Sequence, residues 1–266
     1  MSYPDIEGFQ PPPPPPLPEA PTGPVLSTVE TLSGVFFEPG RVFESLRARP
    51  RFLVAGLIVI VLSMIFTALF FQRVGYENST RAAVEKSPRA GQMSPQQKEQ
   101  AVGFYQKPVI KALTYCTPLF IFSIAFAIGA TLYLLGTIAV GQKISFQQAL
   151  SVWVYSSFPP TVLTMLLNIL VLFLKSPDDI DPGQLRSGLI KADLGILVDE
   201  KASPVLASLL GSIDLFAFYG LFLAALGLRK VANLKRETAW GIVLTIWVIR
   251  IILRIIWAAA FRSVAG

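Results

Sequence analysis

Five long apolar segments alternate with polar connections along the chain. An α-helix rises 1.5 Å per residue, so about 20 apolar residues cross the roughly 30 Å hydrocarbon core of a bilayer. The segments that reach this length lie at about 52–71, 112–140, 149–174, 204–228 and 239–261. The pattern predicts an all-α fold: a polytopic membrane bundle of five transmembrane helices, formed by residues 52–262.

Two short amphipathic helices are predicted just before the first span, in residues 25–51. In the first, apolar residues recur at three- and four-residue steps, and Ser27 with Glu30 matches a capping box. The second is basic, starts after Pro39 and ends before Pro50. Because amphipathic helices beside a span lie in the headgroup plane, we expect residues 25–51 to form an interfacial segment at the cytoplasmic surface.

The amino-terminal arm, residues 1–24, is dominated by proline, with six prolines in a row at 11–16. Proline fixes φ and lacks an amide donor, so the arm is predicted to be disordered or to adopt the polyproline II conformation. Two interpretations follow from this composition. The arm is either a stiff spacer or the binding site of a protein partner with a proline-recognition domain.

The positive charge predicts the orientation of the chain. The net charge is +6, and basic residues crowd beside the amino-terminal segment and two short connections: Arg41, Arg47, Arg49, Arg51, Lys143, Arg229, Lys230, Lys235 and Arg236. Basic residues close to span ends favour the cytoplasmic side. We therefore predict a cell-membrane protein with a cytoplasmic amino terminus, an external carboxyl terminus and anionic lipid headgroups bound at these basic segments. No stretch interleaves basic and aromatic residues, so nucleic acid is not expected as a partner.

The residues that usually carry catalysis are scarce. The chain has no histidine and a single cysteine, Cys116, which lies inside an apolar segment. It also lacks a glycine-rich phosphate loop, a metal-binding motif and paired carboxylates within a span. The sequence therefore predicts no enzymatic activity, no cofactor and no metal site.

Three charged residues interrupt the last two apolar segments. Asp214 lies in the fourth, and Arg250 and Arg254 share one face of the fifth. Counted from the short connection between these segments, the three lie at similar depths, so Asp214 is predicted to pair with the arginines. The cluster is either a structural clamp or the wall of a polar cavity that binds a substrate or lipid headgroup, because charges inside membranes are costly and often functional.

The third span contains a second candidate site. Pro159 and Pro160 are expected to interrupt and kink it, because each removes a backbone donor. Tyr155 and Asn168 lie on either side of the proline pair. These polar groups either form hydrogen bonds between helices or line a binding site.

Several segments together resemble one membrane-protein family. Phe37–Leu46 (FEPGRVFESL) followed by Arg49-Pro50, the segment Tyr155–Pro160, and Asp214-Leu215-Phe216 leading to Gly227-Leu228 and a basic turn are similar to bacterial members of the Yip family, the Ypt-interacting five-span membrane proteins. The likeness covers about Leu32 to Ala260. It implies an integral membrane protein whose eukaryotic relatives act in vesicle traffic and bind Rab GTPases. The Asp-Leu-Tyr-Gly-Pro segment of those relatives is absent here.

Two functions are compatible with these observations. The first is a membrane-organising or protein-interaction scaffold without catalytic activity. The second is a transporter or channel for a small solute or lipid, with a polar path around Asp214, Arg250, Arg254 and Asn168. A single cavity that is open to one side and lined by all four residues would favour transport.

Overall fold

A computed structural model describes residues 26–87, 89–185, 188–190, 192–198 and 203–262. Within these ranges the chain forms α-helices joined by loops and short 3-10 turns, without a strand, and the predicted all-α membrane bundle is confirmed. The proline-rich arm lies outside the described residues, so its predicted conformation stays a prediction.

Two short helices precede the bundle. Helix α1 covers Thr28–Phe37 and α2 covers Pro39–Ala48. The predicted capping box is present at α1, where Ser27 Oγ accepts a hydrogen bond from the Glu30 amide at 3.2 Å and Glu30 accepts one from the Ser27 amide at 2.7 Å. These bonds satisfy amides that have no partner within the helix, and they fix where α1 begins.

The long helices lie close to the predicted spans. Helix α3 covers Leu53–Val74, and α4 (Tyr76–Glu85), α5 (Pro95–Tyr105) and α6 (Pro108–Tyr115) form the connection to α7 (Thr117–Ala139). The second span therefore starts later than predicted. A break at Cys116 separates α6 from α7, and Pro118 follows at a position where the first turn tolerates proline.

Helix α8, Phe146–Leu174, is continuous through both Pro159 and Pro160, although an interruption is expected there. Proline within a helix leaves carbonyls without amide donors, and membrane helices tolerate this where side chains and neighbouring helices compensate. Ser157 Oγ donates to the Trp153 carbonyl at 2.8 Å in the turn before the prolines. The α8 backbone thus stays helical along its whole length.

The prediction of one continuous helix over 204–228 is wrong. The structure has α9 at Pro204–Leu210 and α10 at Leu215–Val231, followed by α11 at Arg236–Arg262. Gly211 ends α9, and Asp214 caps the start of α10. Both are boundary residues in an apolar context, and hydropathy alone does not register such a break.

Four of the described helices are long and apolar enough to cross a membrane: α3, α7, α8 and residues 236–256 of α11. With 17 residues, α10 is about 25 Å long. It packs along α8: a methyl group placed on Gly220 would lie 3.5 Å from Pro160, and one placed on Gly227 would lie 2.8 Å from Val152. The structure therefore does not contain five continuous spanning helices as predicted, because two shorter helices, α9 and α10, replace the fourth span.

Helix α8 lies at the centre of the bundle, with α3, α7 and α10 packed against it. Its side chains Val152, Val154 and Tyr155 are almost completely buried. Gly129 of α7 lies against the indole of Trp153, where a Cβ atom would overlap the ring. The absence of a side chain at Gly129 allows these two helices to approach closely.

The α1–α2 segment is part of this core. Val35, Val42 and Phe43 have no exposed surface. The Phe36 ring meets the Phe158 ring of α8 edge-on, with centroids 5.8 Å apart. Much of the apolar surface of the predicted interfacial segment is therefore covered by protein, while Val29 and Phe37 stay exposed.

Candidate functional site

A cavity of about 210 Å³ lies between the α9–α10 junction and α11. Residues that line it include Gly211, Asp214, Ala217, Trp247, Arg250 and Arg254. The structure thus brings all three predicted intramembrane charges to one place. They meet there because α10 and α11 are joined by a short turn and pack against each other.

Asp214 is fixed by the backbone around it. Its Oδ1 accepts a hydrogen bond from the Ala217 amide at 2.7 Å, as an N-cap residue does. The backbone on both sides of Asp214 pairs with the preceding loop, since the Leu215 amide donates to the Ala192 carbonyl at 3.3 Å and the Leu194 amide donates to the Ile213 carbonyl at 3.2 Å. The aspartate therefore lies at the beginning of a helix and not in the middle of one.

The direct ion pair between Asp214 and the arginines does not form. Among the described residues, no salt bridge of 4.0 Å or less joins Asp214 to Arg250 or Arg254. Depth counting assumes a continuous helix, whereas the break turns the Asp214 carboxylate toward the first amides of α10. The three charges share a cavity without a close contact between opposite charges.

The two arginines differ in their partners. Arg254 Nη1 donates to the Gly211 carbonyl at 3.3 Å, at the last turn of α9. Arg250 has no hydrogen bond or ion pair with any residue that the structure describes. Both side chains are exposed. Most of the donor groups of the two guanidinium ions are therefore free to bind a ligand.

The surface beside the cavity is apolar. On α11, Ile249 and Leu253 are 51% and 61% exposed, and on α10 Leu215 is 71% exposed. Large apolar side chains on the outside of a membrane helix face lipid acyl chains. The cavity therefore lies next to a lipid-facing surface.

The predicted residues of the third span lie elsewhere. Tyr155, Pro159 and Pro160 are buried in the interior of the bundle, and Pro160 faces Gly220 of α10. A Cβ atom on Gly220 would be in ordinary van der Waals contact with Pro160, and a small residue at this crossing suits the close approach of α8 and α10. The geometry at the proline pair is that of a packed helix–helix contact.

Asn168 joins α8 to the loop that follows it. The side chain is 1% exposed, and its Oδ1 accepts hydrogen bonds from the amides of Leu189 at 2.5 Å and Ile190 at 3.2 Å. Its Nδ2 donates to the Thr164 carbonyl at 2.8 Å. Both ends of the side-chain amide are thus engaged, and Asn168 does not line the cavity of Asp214 and the arginines.

Contacts between α2 and α10 were not anticipated from the sequence. Lys230 Nζ lies 2.5 Å from Glu44 Oε1, and a methyl group on Gly227 would come within 2.8 Å of the Phe43 ring. The apolar positions of α2 indicate a buried face, but no sequence pattern names the helix that covers it. A glycine near the end of α10 is the one local signal of a close approach.

No group of three histidine, cysteine, aspartate or glutamate side chains is placed to hold a metal ion in the part of the chain that the structure describes. The site offers two guanidinium groups, one helix-capping carboxylate and a tryptophan. The two guanidinium groups can bind an anion.

Comparison with known families decides the identity of the chain. The family model described as the Yip1 domain matches residues 33–258, which is most of the sequence. The chain belongs to the Yip1 domain family. No curated protein and no solved structure matches it. Membership in the Yip1 domain family, together with the long apolar helices, makes the protein a multi-pass membrane protein and confirms the predicted family.

Proposed function

We propose that this Yip1 domain protein is a membrane-organising scaffold without catalytic activity, which holds anionic lipid and partner proteins at the cytoplasmic surface of the cell membrane. The observation that carries the proposal is the docking of α2 on α10. Phe43 is fully buried beside Gly227, and Glu44 pairs with Lys230 at 2.5 Å. A helix that is fixed in this way holds its charged residues in a constant arrangement.

The docked helix brings basic segments from distant parts of the sequence together. Gln148 Nε2 at the start of α8 donates to the Arg47 carbonyl at 2.8 Å, so the end of α2 lies beside the α7–α8 turn. The exposed basic residues in or directly beside α2, the α7–α8 turn and the α10–α11 turn are Arg41, Arg47, Arg49, Lys143, Arg229, Lys235 and Arg236. We call this set the basic face.

The basic face has the chemistry that anionic headgroups require. Each Lys or Arg close to a negatively charged leaflet contributes about 1 kcal/mol of attraction. Only Arg41 of the set has an ion-pair partner within 4.0 Å among the described residues, the exposed Glu38 at 3.4 Å. The cytoplasmic leaflet carries the anionic lipid in the general case, so this arrangement supports a cytoplasmic amino terminus and an external carboxyl terminus.

The proline-rich arm extends this proposal to proteins. It precedes α1 directly in the sequence, so a partner bound to residues 1–24 would be tethered beside the basic face. Proline-rich segments lose little entropy when they bind aromatic grooves, because the polyproline II conformation is already formed. The scaffold would thus join a lipid-binding surface to a protein-binding arm.

Spin-labelled lipids test the lipid-binding part of the proposal. The protein is reconstituted in phosphatidylcholine, and electron paramagnetic resonance measures the motionally restricted fraction of labelled phosphatidylglycerol and labelled phosphatidylcholine. We expect selectivity for phosphatidylglycerol that falls with added salt and in the triple variant Arg41→Gln, Arg47→Gln, Arg49→Gln. The control variant Arg89→Gln, Lys107→Gln, Lys175→Gln removes the same charge on the other side of the bundle. Equal losses in the two variants would refute a specific basic face.

Transport is the second candidate function, and the cavity beside Arg250 is the observation that favours it. The described geometry supports transport less well than a scaffold, because Asn168 is committed to the loop and does not extend the cavity into a path. Flux of small anions from proteoliposomes, compared with an Asp214→Asn variant, tests this alternative. Flux that is lost in Asp214→Asn would favour the transporter function over the scaffold function.

A further inference from the structure

The cavity of Asp214, Arg250 and Arg254 has the features of an anion site inside a membrane. Two arginines and one aspartate line it, and Asp193 at its edge brings the formal charge of the wider site to zero, so binding of an anion rests on free guanidinium donors and not on net charge. Asp214 is already engaged as the cap of α10, and Arg250 has no partner among the described residues. Asp193, at the edge of the site, is likewise engaged, because its Oδ1 accepts from the Gly195 amide at 2.8 Å.

We propose that this cavity binds the phosphate group of an anionic phospholipid from the leaflet opposite the basic face. Arginine presents planar pairs of donors that match phosphate oxygens, and bonds between charged groups are the stronger kind. The ligand chemistry is therefore a phosphate ester. The site is independent of the basic face, which lies at the other end of α10 and α11.

The depth of the cavity agrees with a headgroup position. Arg250 is fourteen residues from Arg236 at the start of α11, or about 21 Å along the axis, and Asp214 is about 25 Å from the end of α10. The hydrocarbon core is about 30 Å thick, so the Asp214 and Arg250 backbones lie about 5 Å and about 9 Å inside its far boundary. Long arginine side chains extend toward the interface from such positions.

The surroundings favour a lipid over a soluble phosphate. The cavity is flanked by the exposed apolar side chains of Ile249, Leu253 and Leu215. Acyl chains attached to a bound phosphate would run along this surface. The volume of about 210 Å³ exceeds the share of about 30 Å³ that one water takes in the liquid, and it can hold a phosphate group while the chains stay outside.

Trp247 provides a local reporter because it lines the same cavity. The protein is placed in nanodiscs of phosphatidylcholine to which phosphatidylglycerol with brominated acyl chains is added, and quenching of tryptophan fluorescence is recorded. The Trp247→Phe variant identifies the part of the signal that comes from the cavity. We expect this part to be quenched at about tenfold lower mole fractions of brominated phosphatidylglycerol than of brominated phosphatidylcholine.

Variants connect the quenching to the arginines. Arg250→Gln and Arg254→Gln are expected to abolish the preference for phosphatidylglycerol, and Arg89→Gln, which removes an exposed cation outside both the cavity and the basic face, is expected to keep it. Arg250→Lys retains the charge but not the paired donors, so it should keep part of the preference and shows that loss does not come from misfolding. Equal quenching by both lipids in the wild type, or an unchanged preference in Arg250→Gln and Arg254→Gln, would overturn the proposal.

Inorganic phosphate distinguishes the two sources of the ligand. It is added to wild-type protein in nanodiscs of phosphatidylcholine alone. We expect no change in Trp247 emission at concentrations that exceed those of the lipid. A saturable change that is lost in Arg250→Gln would assign the cavity to a soluble phosphate and overturn the lipid assignment.

Discussion

Lys230 at the end of α10 donates a hydrogen bond to Glu44 of α2 across 2.5 Å and joins residues that are 186 positions apart. Both side chains are partly exposed, at 32% and 44%, so the pair itself contributes less than about 1 kcal/mol. The larger part of the docking energy comes from the neighbouring Phe43, which is completely buried. The ion pair fixes the register of α2, and the aromatic ring holds it in place.

Removal of the Phe43 ring should therefore undock α2. We expect Phe43→Ala to lower the free energy of unfolding by about 3–5 kcal/mol, because it leaves a large cavity between α2, α8 and α10. Phe37→Ala is the matched control, since the Phe37 side chain is 84% exposed and its loss should change stability by less than about 0.5 kcal/mol. Thermal unfolding in detergent measures both. Equal effects of the two variants would contradict the docking.

Asn168 should control the loop after α8. In Asn168→Ala the buried amide of Leu189 and the amide of Ile190 lose their acceptor, at a cost of about 1–3 kcal/mol for a buried amide. Hydrogen–deuterium exchange of the peptide with residues 188–190 should accelerate about tenfold. Asn78→Ala, in which an exposed asparagine is removed, should leave this peptide unchanged. Equal exchange rates in the two variants would show that the hydrogen bonds to Asn168 do not hold the loop.

Acid should weaken the link between α4 and the same loop. The hydrogen bond from Lys86 to Asp181 at 2.6 Å lowers the pKa of Asp181 below its ordinary value of 3.8. A depressed pKa stabilises the fold fully above the ordinary value, and this contribution is lost as the pH falls through the lowered pKa. The unfolding temperature of wild type should thus exceed that of Asp181→Asn at neutral pH, and the difference should vanish in strong acid. Asp178→Asn, without such a partner among the described residues, should show no difference at either pH.

Cys116 tests the orientation of the chain. It is the single cysteine, and it lies at the start of α7, on the side opposite the α7–α8 turn. In intact cells a membrane-impermeant maleimide should label Cys116, which is accessible in part. A cysteine at position 143, Lys143→Cys in a Cys116→Ser background, should react only after permeabilisation. The reverse pattern would place the amino terminus outside.

The sequence predicts the helices better than it predicts their contacts. Long apolar segments must be helical in a membrane, because every backbone group needs a partner there, so α3, α7, α8 and α11 follow from composition alone. The break before α10 is different. Gly211 and Asp214 are ordinary boundary signals, but they are hidden inside an apolar segment whose length suggests one span.

For the candidate site, too, the sequence predicts which residues come together better than it predicts their contacts. Helical spacing places Arg250 and Arg254 on one face, and the short turn places that face near Asp214, so the members of the cavity could be found from the sequence. Their distances could not, because the helix break redirects the Asp214 carboxylate to the Ala217 amide. The assignment of Asn168 to the loop also depends on a tertiary contact that leaves no pattern in the chain.

In the proposed scaffold, docking of α2 on α10 makes the basic face a single surface. Gly227→Leu tests it directly, because the new side chain would enter the space of Phe43 and Val152 while every cation of the face remains. Gly241→Leu is the matched control, since no atom outside its own helix lies within 4 Å of a Cβ atom placed there. The measurement is the selectivity for spin-labelled phosphatidylglycerol over phosphatidylcholine in reconstituted membranes. We expect a loss of selectivity in Gly227→Leu alone, and selectivity at the wild-type level in that variant would show that the basic face does not depend on docking of α2.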